Sequence, residues 1–402
     1  MPLSFTKDLM NAIPHNFTGV EQCQAIDRWL NENEDAGIEP QIMLRTWLLR
    51  MRDFVVSDID FGGPGCSKYV WNRTYGVKKP IKEFGEFEYV ETAAIILCWL
   101  SPIQKRKLYE NRSLDFSLDL SENDYRARFR GSVYFDRNFL CANFRRINEK
   151  VYSIEQLGIP KIIAERMNLH YEKVGLVLIT GITGAGKSTT LDAIIDMNNR
   201  DNNAHIVIIA HPIEYVHESK QCLVRHREVG VDVLSFERGA VEALRQDPDI
   251  IVVGEMRDSR TIATVLEITD SGHKAFSTLH TSSAIDSIHR IIAEFPPEEQ
   301  ERIRNRLADV LSVIISQKLV PTVDGKLVLA KEILSVDSSV QAAIRNKNIG
   351  EIYQMMVEGR KLGMVTLEQD LLELYKRGVI TNKTALNYAN NKRRIIQLLS
   401  MP

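Results

Sequence analysis

The sequence predicts an α/β fold: a parallel sheet with helices on both faces, preceded by an α+β domain and followed by a helical subdomain. Three observations carry this. An apolar run, Leu176 to Ile179, has the length and bulk of a buried parallel strand. It empties into Gly181-Ile-Thr-Gly184-Ala-Gly186-Lys187-Ser188, with helix-compatible Thr189 to Met197 behind it. From residue 174 to 330, further apolar runs (Ile206 to Ile209, Ile250 to Val253, Lys274 to Leu279, Leu327 to Ala330) alternate with helical segments, a βαβ rhythm. From about Val336 no strand signal remains, and Leu367, Leu371, Leu374 and Tyr375 fall at helical spacing.

The glycine-rich turn fits the phosphate loop G-x-x-x-x-G-K-[ST]. Its three glycines permit a tight turn whose successive N–H groups point inward at phosphate oxygens. The following helix adds the positive end of its dipole. Lys187 has the reach for β- and γ-phosphates, and the Ser188 hydroxyl is placed for Mg²⁺. Gly181, Ile182, Thr183, Gly184, Ala185, Gly186, Lys187, Ser188 and Thr189 together form the candidate nucleotide-binding segment, with ATP and Mg²⁺ as the expected ligands.

Taken in order, residues 1–40 read as an N-terminal extension with one helix around Glu21 to Leu30, ahead of a polar patch ending at Gly37. Residues 41–150 read as the α+β domain. Ile42, Leu44, Trp47, Leu48 and Met51 keep helical spacing, Ala93 to Leu100 suits a buried helix, and Phe61-Gly-Gly-Pro-Gly65 breaks any regular element. Tyr125 to Asp136 alternates strictly, as in a half-buried strand. Its polar face carries Arg126, Arg128 and Arg130, either a solvated outer face or a comb aimed at an anion. Residues 151–173 read as a linker with one helix, 174–335 as the core and 336–402 as the helical subdomain.

Within the core, ligands are expected at the carboxyl ends of the strands. The second strand ends in Ala210-His211-Pro212-Ile213-Glu214. The third ends in Gly254-Glu255-Met256-Arg257-Asp258, an apolar run capped by an acid. An acid there can hold the Mg²⁺ hydration shell or polarise the attacking water, which makes Glu255 a candidate metal ligand through water. Asp247 and Asp249 suit turn geometry. His273 and His280 bracket the fourth strand on opposite faces, too far apart to share a metal, and His280 stands where a γ-phosphate would be sensed.

Composition sets the outer limits. The chain has 402 residues, 44% of them hydrophobic, enough for a substantial core and two or three domains. A net charge of −2 argues against a nucleic-acid protein that depends on a strongly basic surface. Cys23, Cys66, Cys98, Cys141 and Cys222 are scattered without a C-x-x-C pair, so reduced buried thiols are expected rather than a zinc site or disulfide framework. The first residues lack the order of a signal peptide, and no apolar window is long enough to span a bilayer. The expectation is a cytoplasmic chain that meets a membrane only through a partner.

These segments resemble the PilT/PilU-type retraction ATPases of type IV pili, within the secretion ATPase superfamily. Residues 174–400 carry the resemblance: Gly181 to Thr190, Pro212 to Lys220, Arg227-Glu-Val229, Asp247 to Asp258, and Ser271-Gly-His through Thr278-Leu-His-Thr281. Ala343-Ile-Arg-Asn346, Leu362 to Leu367 and Gln317 to Gly325 add to it; Ser57 to Asp60 and Arg128 to Arg130 match more weakly. The resemblance implies a cytoplasmic homohexamer in which each subunit has a PAS-like N-terminal domain and a RecA-like P-loop NTPase core, with ATP between them. It implies hydrolysis coupled to pilus retraction and twitching motility, an inner-membrane pilus platform protein as partner, a possible second motor ATPase, and no nucleic acid. It implies Glu214 and Glu255 as the glutamates needed for hydrolysis and His273 and His280 as members of a histidine box. Arg128, Arg130 and Arg227 become candidates for phosphate contact. A related transport ATPase of the DotB type, or a weakened accessory subunit, are the alternatives. The sequence departs from the family pattern at Ala210-His211, where two carboxylates usually precede Pro-Ile-Glu, and at Asp60, where histidine is usual. Loss of two acids near Mg²⁺ is expected to slow turnover.

Overall fold

The computed structural model describes residues 3–51, 56–74, 77–122, 125–147 and 151–400, apart from the side chains of Glu34, Tyr125 and Arg126. The arginine expected at position 126 therefore lies outside the described side chains. The chain forms two compact units, Met1–Glu149 and Lys150–Pro402. Among the described residues no helix is long and apolar enough to cross a membrane.

The first unit is a six-stranded antiparallel sheet covered by helices. Its strands are β1 (Val56–Gly62), β2 (Trp71–Thr74), β3 (Val77–Pro80), β4 (Ser113–Glu122), β5 (Tyr125–Asp136) and β6 (Phe139–Arg146), in the order β3-β2-β1-β6-β5-β4. Its helices are α1 (Thr6–Ala12), α2 (Gly19–Glu32), α3 (Ile38–Arg50), α4 (Tyr89–Leu97) and α5 (Pro102–Asn111). The alternation of β5 is resolved as expected: Ala127, Phe129 and Val133 are buried in the core. Residues 1–40, expected as an extension, are part of this unit. Leu3, Leu9, Ile26 and Leu30 share one core with Leu44, Trp47, Phe61 and Phe144. The reason is physical: α1 and α2 each have a single apolar stripe, which has to be buried against something. Helix α4 is hydrophobic over Ala93 to Leu97 and starts on a reciprocal cap between Glu88 and Glu91.

The second unit is built on seven strands, β7 (Gly175–Thr180), β8 (His205–Ala210), β9 (Leu223–Glu228), β10 (Ile250–Val253), β11 (Lys274–Leu279), β12 (Leu311–Pro321) and β13 (Leu327–Ser335). The order is β13-β12-β7-β11-β10-β8-β9; every neighbouring pair is parallel except β12 with β13. The expected parallel sheet thus carries one antiparallel edge strand.

Alternate residues of the central strands feed two layers. Leu176 and Leu178 join a core formed with α8 (Phe236–Ala243), α9 (Ser259–Asp270), α10 (Ala284–Ala293), α11 (Gln300–Val310), α12 (Ser338–Arg345) and α13 (Ile352–Glu358). Val177 and Ile179 join the opposite core with α6 (Lys161–Met167) and α7 (Lys187–Asp201). Ile163 and Met167 of α6, in the expected linker, are fully buried there, so that segment is structural. The C-terminal helices α14 (Leu367–Lys376), α15 (Asn382–Tyr388) and α16 (Lys392–Ser400) pack their own small core against Val320 and Ala330 of the β12–β13 hairpin. In Ala343-Ile-Arg-Asn346, Ala343 and Ile344 are core residues and Arg345 pairs with Asp309 of α11.

Candidate active site

The parallel register sets the site. Loops leave the sheet at its carboxyl edge, and neighbouring strands lie about 4.8 Å apart. Along that edge stand the loop after β7, then His280 after β11, Glu255 after β10 and Glu214 after β8, in strand order.

The loop has the left-handed backbone that its glycines permit: φ is +153° at Gly181, +80° at Gly184 and +84° at Gly186. A Cβ at position 181 would sit 2.6 Å from the Gln317 carbonyl oxygen and 2.9 Å from the Ala185 Cβ. Glycine there is a packing requirement as well as a conformational one. Ala185 is buried, whereas Ile182, Thr183, Gly184 and Ser188 are exposed and Thr189 is half-buried. Gly186 caps α7, so Lys187, Ser188 and Thr189 form the helix's first turn, where unpaired N–H groups and the helix dipole favour an anion.

Lys187 Nζ donates to the carbonyls of Gly181 (2.9 Å) and Ile182 (3.1 Å) and lies 3.5 Å from His280 Nδ1. Burial lowers its pKa, opposed by the carboxylates of Glu255 and Glu214. His280 Nε2 is 3.7 Å from Glu255 Oε2, and Arg257 Nε is 2.8 Å from Glu255 Oε1. The pKa of His280 is lowered, first by burial and then by the Lys187 charge, with Glu255 pulling the other way. Lys187, His280, Glu255 and Glu214 are therefore one interacting group. Arg257, not anticipated as a partner, belongs to it as the cation on Glu255.

Of the other expected site residues, His273 and Arg227 lie elsewhere in the second unit, and Arg128 and Arg130 belong to the first. His273 precedes β11 at the sheet's amino edge, where its Nδ1 is 3.1 Å from Ser271 Oγ and 3.3 Å from the Ile268 carbonyl oxygen. Seven residues of strand rise place it about 23 Å from His280. Arg227 is on β9, four strands from β7, and its Nη2 meets Glu242 Oε2 of α8 at 2.8 Å. In the first unit, Arg128 holds both carboxylate oxygens of Asp119 (2.7 and 2.6 Å) and donates to Ser117 Oγ (2.8 Å). Arg130 is 3.7 Å from Asp115. The two described arginines of the comb, Arg128 and Arg130, thus each have an acid on β4. Asp60 accepts from Asn143 Nδ2 (2.9 Å) and pairs with Lys78 (2.9 Å). Asp247 takes a left-handed turn conformation, and Asp249 accepts from the His205 N–H at 2.8 Å, so both serve the turn before β10.

A parallel α/β sheet with this loop and a carboxylate on the neighbouring strand ends defines a P-loop nucleotide-binding protein. The chain belongs to the family described as Type II/IV secretion system protein, which matches over residues 100–398. It is 39% identical over 298 residues to the type IV pilus retraction ATPase PilT of Pseudomonas aeruginosa, covering 74% of this chain and 85% of that one. The type IV pilus ATPase PilU of the same organism is 35% identical over 312 residues, or 77% of this chain and 80% of PilU. Among solved structures, the pilus retraction motor PilT with bound ADP superimposes with a TM-score of 0.79 at 35% identity, covering 88% of this chain and 98% of that one. The Legionella pneumophila ATPase DotB gives 0.71 at 25% identity, over 86% and 94% of the two chains.

Proposed function

We propose that this ATPase is the motor that drives type IV pilus retraction, and with it twitching motility. The observation that carries the reading is the grouping of Lys187, His280, Glu255 and Glu214 along one sheet edge beside the phosphate loop. The likeness to PilT, in sequence and in fold, supports retraction as the work done, ahead of the more distant DotB. A homohexamer at an inner-membrane platform protein, with a second motor as an occasional partner, no nucleic acid and a cytoplasmic location, completes the proposal.

In this reading the loop N–H groups and the α7 amino end hold the phosphates of ATP, and Lys187 exchanges its carbonyl partners for β- and γ-oxygens. Glu255 orients and polarises the attacking water, and Arg257, 2.8 Å from its Oε1, keeps that carboxylate aimed. Glu214 adds negative charge on the far side of the water site. His280 stays neutral beside Lys187 and reports the γ-phosphate. The exposed Ser188 hydroxyl and half-buried Glu255 suit Mg²⁺, the serine directly and the glutamate through water. When bound, Mg²⁺ would neutralise charge building on the phosphate oxygens. Arg128 and Arg227 would take part in phosphate binding only by exchanging Asp119 and Glu242 for a phosphate oxygen, and Arg130 by turning from Asp115. His273 is assigned to bracing the turn before β11. Ala210 and His211 supply no acid next to Glu214, so Glu214 and Glu255 are the carboxylates left to act on the water.

Deleting the gene and imaging pili tests the reading. Excess, immobile pili are expected; missing pili would indicate assembly instead, and unchanged pili would end the proposal.

A further inference from the structure

Strand β12 is apolar on both sides of a polar triplet, Ser316-Gln317-Lys318. Each member has a partner of its own. Ser316 Oγ is 2.6 Å from Thr180 Oγ1 at the end of β7, and Lys318 Nζ reaches the Tyr388 carbonyl (2.9 Å) and Asn390 Oδ1 (2.6 Å) in the C-terminal helices. Gln317, 2% exposed, donates from Nε2 to the Ala185 carbonyl at 2.8 Å. Its other polar atom, Oε1, is buried with no hydrogen-bond partner among the described residues.

Ser316 pairs with Thr180, so Gln317 stands one residue further on, level with the start of the phosphate loop. Its backbone oxygen fills the space behind Gly181, and its Nε2 would lie 3.3 Å from a Cβ at Gly186. The side chain is thus wedged under the loop. In a trans peptide the C=O and N–H point in opposite directions. Holding the Ala185 carbonyl toward β12 therefore turns the Gly186 N–H away from β12, to the side where the nucleotide reading puts phosphate. A purely structural position in this strand would suit leucine, which leaves no acceptor unsatisfied. The half-used amide makes sense if its donor serves the loop.

We propose that Gln317 is a positioning residue for nucleotide binding: it fixes the Ala185–Gly186 peptide so that the loop presents its amide to phosphate. The inference rests on the nucleotide reading of the loop. Gln317→Leu keeps the volume and loses the donor. Its ADP dissociation constant, measured by calorimetry on the full chain, is expected to rise about tenfold, the equivalent of one lost hydrogen bond. Its nucleotide-free melting temperature is expected to stay within about 3 °C of wild type. Gln317→Glu gives a second readout. At pH 8 its carboxylate cannot donate to the Ala185 carbonyl; as pH falls the carboxyl regains a proton and that bond, so its ADP affinity relative to wild type recovers. A Gln317→Leu affinity within twofold of wild type, or a Gln317→Glu affinity ratio flat with pH, overturns the proposal. Failure of the wild-type chain to bind ADP would overturn the loop reading itself and this inference with it.

Discussion

Lys187 is, with Arg257, a cation in a cluster of opposed charges, and its neighbours define what substitution there does. Lys187→Ala leaves the loop without its mobile cation; ATP turnover is expected to fall by at least about a hundredfold in kcat/KM, read by phosphate release. Glu255→Gln keeps the shape and removes the base, so kcat is expected to fall about 10²–10³-fold with ADP affinity within a few-fold of wild type. A kcat left within threefold would exclude Glu255 from the chemistry. His280 has a pKa below the ordinary 6.5, so its imidazole is neutral at and above that value. Protonation would add a second cation beside Lys187 and weaken the hold of Glu255 on its water. The acid limb of kcat is therefore expected below pH 6.5, and His280→Asn should remove it; an unchanged profile would clear His280 of that role. Glu255 and His280 were legible in sequence because each follows an apolar run at a parallel sheet's carboxyl edge, and Lys187 because it closes a glycine-rich loop. Arg128 was legible as an arginine on a polar face and through a weak resemblance. Its choice of Asp119 depended on the register of β4 against β5, which no local pattern contains.

At the scale of elements, α9 starts on a side-chain cap. Asp258 begins α9, and its carboxylate accepts from the Thr261 N–H and the Thr261 hydroxyl, both at 2.9 Å. Asp258→Ala is expected to cost about 1 kcal/mol in urea denaturation; no loss would mean that the cap adds nothing here. The central strands β7, β8, β10 and β11 and the alternating β5 matched their apolar patterns because burial imposes those patterns. β9 did not stand out: Leu-Val-Arg-His-Arg-Glu is an edge strand whose arginines and histidine stay at least partly exposed. β12 did not stand out either, although it neighbours β7. Its polar triplet interrupts the apolar run, and each of those residues is explained only by partners far away in sequence. Gln317 entered only as the first residue of the Gln317 to Gly325 resemblance, with no role attached, for the same reason.

At the scale of the molecule, residues 1–40 and 151–173 show the limit of reading a chain segment by segment. Both are short and punctuated, and both supply core, because the surface that covers them comes from elsewhere. The second unit also buries a carboxyl between layers: Glu332 of β13 accepts from the Ala284 N–H at the start of α10 at 2.7 Å. Burial, aided by the Glu368 charge and opposed by that N–H, pushes its pKa from 4.5 up to about 7. The folded chain then keeps a proton that the unfolded chain releases. Its contribution is full below pH 4.5 and is lost as pH rises through 7. Glu332→Gln retains the acceptor and drops the charge. It is expected to flatten the melting temperature between pH 5 and 8 and raise it at pH 8; parallel curves for the two proteins would refute this.

The antiparallel partner of β12 has one more consequence. β13 lies at the rim of the sheet, and its free side is partly occupied: Ile333 exchanges backbone hydrogen bonds with Val365 at 2.8 and 3.1 Å, and the C-terminal helices lean on the same hairpin. A fragment ending near residue 340 would bare a nine-residue strand with apolar flanks and unpaired N–H and C=O groups. Such a rim invites a stranger's strand. The last sixty residues thus act as a guard against clumping, and expressing the sheet without them should yield inclusion bodies.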